Sequence, residues 1–139
     1  MSDAGGLDWL LSAAAGLPGV RIEDRQAWGC LILWVADRWF GMVIPDSRGE
    51  VLVNLKGDPD INTALVGEHE WIIPAYHMNK KHWISLRLGH PDADRGLALD
   101  LLDASWHATV AGMPRRVARP LLLVREGALD GDESVPATE

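Results

Sequence analysis

The sequence predicts an α+β domain in which helices pack on one face of an antiparallel sheet. Three observations support this fold class. Segments with helix start and stop signals lie near the beginning, the middle and the end of the chain. Short apolar or alternating runs, which are typical of strands, lie between them. Turn-forming clusters connect these runs over short distances. In chain order the segments read αβββαββα, which indicates a two-layer arrangement.

The first half of the chain predicts one helix and a three-stranded meander. The helix covers residues 7–15 and ends at Gly16, just before the turn at 17–19. The run GCLILWV is continuously apolar, which indicates a well-covered strand. The turn formers PDSRG separate the second strand from the third. The three predicted strands are residues 29–35, 39–44 and 50–56.

The second half predicts two helices and two strands. Asp58 is a good N-cap, and Pro59 a good first residue, for a helix over residues 59–68. The segments EWIIP and HWISLRL then supply two strands. A long helix over residues 92–111 follows them. Its predicted core-facing stripe consists of Leu99, Leu102, Trp106 and Val110.

Length and composition indicate one soluble domain. The 139 residues divide into a predicted domain at 1–125 and an acidic tail at 126–139, which is expected to be disordered. The single cysteine, Cys30, cannot form an internal disulfide, which indicates a reducing compartment. Asp3 and Asp8 stand where a secretion signal carries positive charge. Because no apolar run approaches the ~20 residues of a membrane span, we expect a cytoplasmic protein with no membrane partner.

The charge is unevenly distributed along the chain. The net charge of −7 argues against an anionic partner when it is taken as a whole. Residues 1–70 hold 11 acidic and 5 basic residues, whereas residues 71–125 hold 4 acidic and 8 basic residues. The tail holds 5 acidic residues and no basic ones. Four of the five histidines also lie within 71–125, so this segment becomes more positive in mild acid. Because of these counts, a basic face must come mainly from that segment.

The segment PAYHMNKKHWISLRLG, residues 74–89, is the strongest candidate for a binding site. Period-two alternation in its strand, and in the strand at 50–56, places one set of side chains toward the core and the other set outward. An aromatic ring beside cations on an open sheet face suits base stacking and phosphate contact. Alternatively, the tryptophan only covers a sheet edge beneath basic side chains. The predicted exposed face consists of Asn54, Lys56, Trp83, Ser85 and Arg87.

The residues ahead of that strand predict a turn. Asn79 tolerates left-handed backbone geometry and therefore suits a turn position. Lys80 and Lys81 would project from the tip of this loop, where they either meet phosphates or are simply solvated. His77 and His82 are five residues apart, and neither HExxH nor CxxC occurs. The sequence therefore predicts no metal site.

No motif supplies a nucleophile together with an activating base. The patterns GxGxxG, GxxxxGK and GxSxG are all absent. Cys30 lies in an apolar run and is expected to be a core residue. Asp103 and His107 are i, i+4 neighbours, which favours a surface ion pair over an acid–base couple. We therefore expect no enzyme activity and no cofactor.

Several motifs, taken in order, resemble one family. They are LPGV, WG, VNLKGDPD, PAYHMNKKHW and LLDASW. Together they resemble the MmcQ/YjbR family of small bacterial domains over roughly residues 7–110. The resemblance implies a CyaY-like fold, related to that of secretion chaperones, and a DNA-binding function in which hairpins act as paired wings.

When the motifs are matched position by position, seven residues of this chain correspond to residues of the family motifs. Where the family has tyrosine after a helical serine, this chain has Trp106, so a role for a phenol hydroxyl does not transfer. The seven matching residues are Lys56, His77, Asn79, Lys80, His82, Trp83 and Ser105.

The sequence as a whole predicts a protein that binds DNA weakly and with little sequence preference. Arg115, Arg116 and Arg119 would extend the contact surface. Two alternatives stay open: a chaperone-like or homodimerising protein-interaction module, and a domain that binds small planar aromatic ligands. The predicted nucleic-acid-binding residues are Lys56, His77, Asn79, Lys80, Lys81, His82, Trp83 and Arg87.

Overall fold

Within residues 2–127, a six-stranded antiparallel sheet forms the centre of the fold and four α-helices complete it. The computed structural model describes residues 2–127. The strands are β1 (Val20–Arg25), β2 (Cys30–Val35), β3 (Arg38–Pro45), β4 (Val51–Lys56), β5 (Ile72–Pro74) and β6 (Trp83–Leu86). The helices are α1 (Ser2–Ala15), α2 (Pro59–Glu68), α3 (Arg95–Ala111) and α4 (Arg115–Arg125). The strand order is β1-β2-β3-β4-β6-β5. The predicted α+β class is confirmed.

Two elements, β1 and α4, lie where the sequence predicted none. Four of the six residues of β1 are charged, so the strand lacks an apolar signal. It forms at the edge of the sheet, where it pairs only with β2. The helix α4 contains Pro120, which normally argues against a helix interior. It nevertheless packs on the core through the buried side chain of Ala118.

The main core lies between the sheet and the helices α1 and α3. Side chains from both helices interlock with the inward side chains of the central strands. Leu10 of α1 and Trp106 of α3 are completely buried, as is Phe40 of β3. Burying large apolar side chains of this kind stabilises a fold by about 1.5–3 kcal/mol each, so this layer contributes strongly to the stability of the domain.

The helix α3 begins later than the sequence predicted. It also turns a slightly different set of side chains toward the core. It starts at Arg95 rather than at residue 92, because the side chain of Asp94 accepts the N–H of Leu97 at 3.2 Å and caps the helix. Of the four predicted core residues, three are buried, whereas Leu99 is only half-buried. Ala98 takes its place in the core.

Ser105 in α3 completes the hydrogen bonding at the point where β3 and β4 separate. The ladder between these strands ends at the pair Gly41 and Leu55. One step further, the N–H of Lys56 donates to Ser105 Oγ at 2.8 Å, and the hydroxyl donates to the carbonyl of Phe40. The serine therefore replaces a direct strand-to-strand bond and ties the helix to the sheet.

Trp106 fixes the turn that connects α1 to β1. Its ring is completely buried, and its indole N–H donates to the carbonyl of Pro18 at 2.9 Å. This bond gives the carbonyl of the half-buried Pro18 a partner within the protein. The residue after the serine in LLDASW is thus a structural link to the LPG turn.

Every helix within residues 2–127 is too short or too polar to cross a membrane. The predicted acidic tail lies outside the described residues, apart from its first two positions.

Replacing Ser105 with alanine tests the link between α3 and the sheet. The variant leaves the N–H of Lys56 and the carbonyl of Phe40 without their partner, so we expect the free energy of unfolding to fall by about 1–3 kcal/mol. Urea denaturation with an unchanged m-value measures this loss. Thr63→Ala is the matched control, because its hydroxyl bonds the carbonyl of Pro59 on an exposed surface. Equal losses in both variants would contradict the assigned role.

Candidate functional site

The centre of the sheet face that points away from α1 and α3 is covered, which corrects the predicted exposure of Asn54 and Ser85. The register pairs Asn54 of β4 with Ser85 of β6, so both lie on this face. Both side chains are 0% exposed. Leu52, which the alternation also placed outward, is buried as well. The loop at 75–82 covers these positions, a tertiary effect that strand periodicity does not contain.

Three hydrogen bonds fix the first half of this loop onto the sheet. The amide nitrogen of Asn54 donates to the carbonyl of Tyr76 at 2.9 Å, and the N–H of Tyr76 donates to Ser85 Oγ at 2.9 Å. The hydroxyl of Ser85 donates to Asn54 Oδ1. The two side chains therefore satisfy each other and both backbone groups of Tyr76, which allows irregular backbone to cover the sheet.

The second half of the loop is held by two asparagines. Oδ1 of Asn79 accepts the N–H groups of Lys81 and His82 at 2.8 and 3.2 Å, which forms a tight turn. Asn62, buried at the start of α2, donates to the carbonyl of Lys81 at 3.3 Å. Asn79 thus shapes the turn through its side chain. The left-handed backbone conformation belongs instead to His77, whose φ is 62°.

The backbone positions of five of the eight predicted binding residues lie at one corner of the sheet. The register places Lys56 at the end of β4 beside Trp83 at the start of β6. The N–H of Gly57 donates to the carbonyl of His82 at 2.9 Å, which brings the loop against the same corner. The five residues are Lys56, Lys80, Lys81, His82 and Trp83.

The cations on this face differ in whether an acid neutralises them. Arg87 lies beyond the opposite end of β6, and its Nε donates to both carboxylate oxygens of Glu50 at 3.1 and 3.2 Å. Within residues 2–127, no lysine has an acidic partner within 4.0 Å. The ammonium of Lys80 donates only to the carbonyl of Ala75, at 2.9 Å. The structure therefore separates Arg87 from the lysine corner.

A cluster of three tryptophans, which sequence reasoning missed, lies on the same face near β1. The ring of Trp39 is 5.9 Å from that of Trp28 and 5.8 Å from that of Trp34, both edge to face. The guanidinium of Arg25 lies 4.3 Å from the Trp28 ring centroid and 5.7 Å from that of Trp39. Glu23 accepts hydrogen bonds from both Arg25 and the Trp34 indole, so the cluster is held in one arrangement.

The pairing of β2 with β3 brings two of these tryptophans together, but the sequence alone does not show this pairing. Trp34 and Trp39 are cross-strand partners between β2 and β3. An irregularity between Leu33 and Trp34 shifts the pairing at this point. Simple alternation then places Trp39 and its neighbour Phe40 on the wrong faces, because a shift of one residue exchanges the two faces of a strand.

A groove of about 510 Å³ lies between the tryptophan cluster and the loop. Six of its eight lining residues are apolar, and its volume falls within the roughly 300–1,000 Å³ of small-molecule sites. Trp28 remains 55% exposed, so one wall is open to solvent. The groove is lined by Trp28, Cys30, Trp39, Met42, Ile44, His77, Met78 and Asn79.

Two titratable groups beside the groove have shifted pKa values. Hydrogen bonds from Arg25, and then from Trp34, lower the pKa of Glu23 below its ordinary value. This carboxylate therefore remains charged under mildly acidic conditions. Burial raises the pKa of the Cys30 thiol. A raised pKa disfavours the thiolate, so Cys30 has the properties of a packed core residue rather than of a nucleophile.

Two further clusters of titratable groups lie away from this face. Glu70, His90 and Asp92 bring potential ligand atoms within 4.8 Å of one another. Nδ1 of His90 accepts the N–H of Asp92 at 3.0 Å, so the ring proton belongs on Nε2, the nitrogen that faces Glu70. That nitrogen is then a donor rather than a metal ligand. Asp103 and His107 form an i, i+4 pair at 3.5 Å on the surface of α3.

The fold and this face together define a small α+β domain with a loop-covered sheet and an aromatic groove. The YjbR family model matches residues 15–108, a range that contains the groove and all eight predicted binding residues. The chain therefore belongs to the YjbR family, and the resemblance seen in the motifs is confirmed.

Curated relatives agree with this assignment. The uncharacterised protein YbdF of Escherichia coli O157:H7 is 39% identical over 75 residues, which is 54% of this chain and 61% of that protein. The uncharacterised protein YyaQ of Bacillus subtilis is 38% identical over 91 residues, 65% of this chain and 73% of that one. Escherichia coli YjbR, also uncharacterised, is 27% identical over 113 residues, 81% of this chain and 94% of that protein.

Solved structures support the fold. A Deinococcus radiodurans protein with a DUF419 domain superposes with a TM-score of 0.71 at 24% identity, covering 83% of this chain and 86% of its own. A Pseudomonas syringae protein superposes with a TM-score of 0.62 at 20% identity, covering 70% of this chain and 92% of its own. At this level of identity the likeness concerns the architecture.

Replacing Ser85 with alanine tests how the loop is held. The N–H of Tyr76 loses its acceptor, so amide hydrogen exchange in the peptide 75–82 should accelerate by roughly tenfold or more, the size expected for one lost buried partner. Mass spectrometry measures this exchange. Ser47→Ala, in the exposed turn between β3 and β4, is the control and should leave the loop unchanged. Unaltered exchange in the Ser85 variant would show that the loop does not depend on this hydroxyl.

Proposed function

We propose that this YjbR-family domain binds single-stranded DNA weakly and with little sequence preference. The observation that carries the proposal is that the backbone positions of all three lysines lie at one corner of the sheet. Within residues 2–127, none of the three has an acidic partner within 4.0 Å. The loop that presents two of them also forms one wall of an aromatic groove. Cations beside a stacking surface are the combination that single-strand-binding domains use.

The lysine corner supports phosphate contact. Lys56 and Lys81 come from adjacent backbone segments, since the corner is closed by the bond between Gly57 and His82. Lysine ammonium groups act as point charges toward phosphate oxygens and need no fixed geometry. His82 is also exposed at this corner. Contacts of this kind do not read sequence.

The groove supports the stacking half of the proposal. The sequence singled out Trp83 for this role, but that side chain is half-buried at the end of the loop. Trp28 is more exposed and stands beside Trp39 at the groove. An unpaired base can reach this surface, whereas a base inside a duplex cannot. This difference favours single strands over duplex DNA.

The acidic groups of the protein support a weak interaction. The net charge is −7, and Asp58 and Asp60 at the start of α2 follow Lys56 closely in the chain. The net negative charge repels the DNA backbone over a long range, whereas the lysine corner attracts it locally. The long-range repulsion becomes stronger as salt is removed. A protein of this charge suits a transient contact with DNA in the cytoplasm.

Removing one lysine tests the phosphate contact. For Lys81→Ala we expect weaker binding to a labelled thymidine oligonucleotide and a salt slope reduced by about 0.7, the value for one phosphate contact on a single strand. Fluorescence anisotropy at 50–200 mM salt measures both quantities. Arg48→Ala is the charge-matched control, because Arg48 is exposed in the turn at the other end of β4. Equal effects of the two variants would mean that net charge, and not this corner, governs binding.

Removing residues 127–139 tests whether the tail competes with DNA for the lysine corner. This segment carries four acidic residues and no basic ones. We expect the truncated chain to bind the same oligonucleotide more tightly at low salt, with a difference that shrinks as salt screens the charges. Identical affinities of the full and truncated chains at low salt would exclude intramolecular competition.

A further inference from the structure

We propose that the groove beside Trp28 and Trp39 binds a free planar aromatic molecule of two or three fused rings that carries no positive charge. This site does not rest on the proposed DNA contact, because no lysine lines the groove. The ligand would be held by its ring faces and not by phosphate groups.

The groove walls suit a flat apolar ring system. One wall is formed by Trp28 and Trp39, whose rings stand at 75° to each other and so present both a face and an edge. Met42 and Met78 contribute thioethers, which are polarisable and adapt to the outline of a ligand. The volume of about 510 Å³ exceeds the need of a single benzene-sized ring and matches a fused system.

The cation–π contacts of Arg25 beside the groove determine which ligand charge the groove accepts. The guanidinium of Arg25 lies over the rings of both Trp28 and Trp39, and its bond to Glu23 keeps it in place. Glu23 neutralises this guanidinium, so it acts by occupying the ring faces and not by net charge. A cationic ring system would find its cation–π positions on the same indoles already taken by Arg25. A neutral or anionic ring is not penalised in this way.

Polar atoms on the loop side can orient the ligand. Within residues 2–127, the side-chain amide nitrogen of Asn79 and both ring nitrogens of His77 make no hydrogen bond. Both side chains line the groove opposite the apolar wall. A few polar groups in an otherwise apolar cavity are typical of sites that fix the orientation of a small molecule. A ring with a carbonyl or ring nitrogen at its edge would use them.

The acidic C-terminal segment of the chain lacks the aromatic side chain that would suit this groove. Residues 128–139 read ALDGDESVPATE and contain no aromatic side chain. A ligand from outside the chain therefore matches the lining better than this segment does.

Riboflavin is a suitable probe, because its isoalloxazine is planar, tricyclic and neutral near pH 7. Anisotropy of its own fluorescence follows binding to the full-length protein, and the cationic dye acridine orange serves as the charge comparison. We expect saturable one-to-one binding of riboflavin, little change between 50 and 200 mM salt, and weaker binding of the cation. Absence of riboflavin binding, or stronger binding of the cation, would overturn the proposal.

Substitutions locate the site. Trp28→Ala should weaken riboflavin binding by roughly tenfold, as expected for one lost stacking partner. Ile61→Ala is the matched control, because Ile61 is 57% exposed on α2, compared with 55% for Trp28, and does not line the groove. Met78→Glu, which places a charge in the groove from the loop side, provides a second disruption that leaves the tryptophan cluster intact. If both groove variants bind riboflavin as the parent protein does, the site is elsewhere.

Competition separates this site from the proposed DNA contact. If a thymidine oligonucleotide displaces riboflavin while an abasic one does not, the same groove accepts the ring of an unpaired base. If riboflavin binds and neither oligonucleotide binds at any salt, the groove is confirmed and the proposed DNA function fails. If only the oligonucleotides bind, the DNA proposal stands and the ligand site is wrong.

Discussion

The buried contact between Asn54 and Ser85 determines which part of the outer sheet face is covered by the loop at 75–82. Two polar side chains at the centre of a sheet face cost free energy unless every donor and acceptor has a partner. Here the pair satisfies itself and the backbone of Tyr76, so it turns a solvent-facing position into an attachment point for the loop. The position of the lysine corner and the loop wall of the groove both follow from this attachment.

Much of the fold was predictable because its signals are local. The helix α2 has Asp58 as its N-cap, with contacts of 2.9 and 3.2 Å to the first turn, and the sequence indicated both the cap and the helix. The strand β1 was not predictable, because its charged residues are compatible with an edge strand only once β2 is available to pair with it. Pro120 concealed α4 in a similar way, since packing on the core offsets its local cost.

The sequence indicated the turn in the loop at 75–82, but not what this loop covers. The loop motif identified the region, because asparagine and lysine clusters mark turns that can meet anions. The burial of Asn54 and Ser85 was invisible, since polar residues at outward positions look the same in a sequence whether water or a loop covers them. The tryptophan cluster was hidden by the shift between Leu33 and Trp34. The motifs that resemble the YjbR family encode the contacts of Ser105 and Asn79 as much as any function.

The edge-to-face arrangement of Trp28, Trp34 and Trp39 also affects how the protein interacts with light. Three of its seven tryptophans lie in one chain of ring contacts near 6 Å, a separation at which excited states are shared between indoles. Excitation absorbed by Trp34 or Trp39 can migrate to Trp28, which is 55% exposed. The coupled indoles therefore give the outer sheet face a near-ultraviolet contribution of its own, separate from that of Trp71 and Trp106 in the main core.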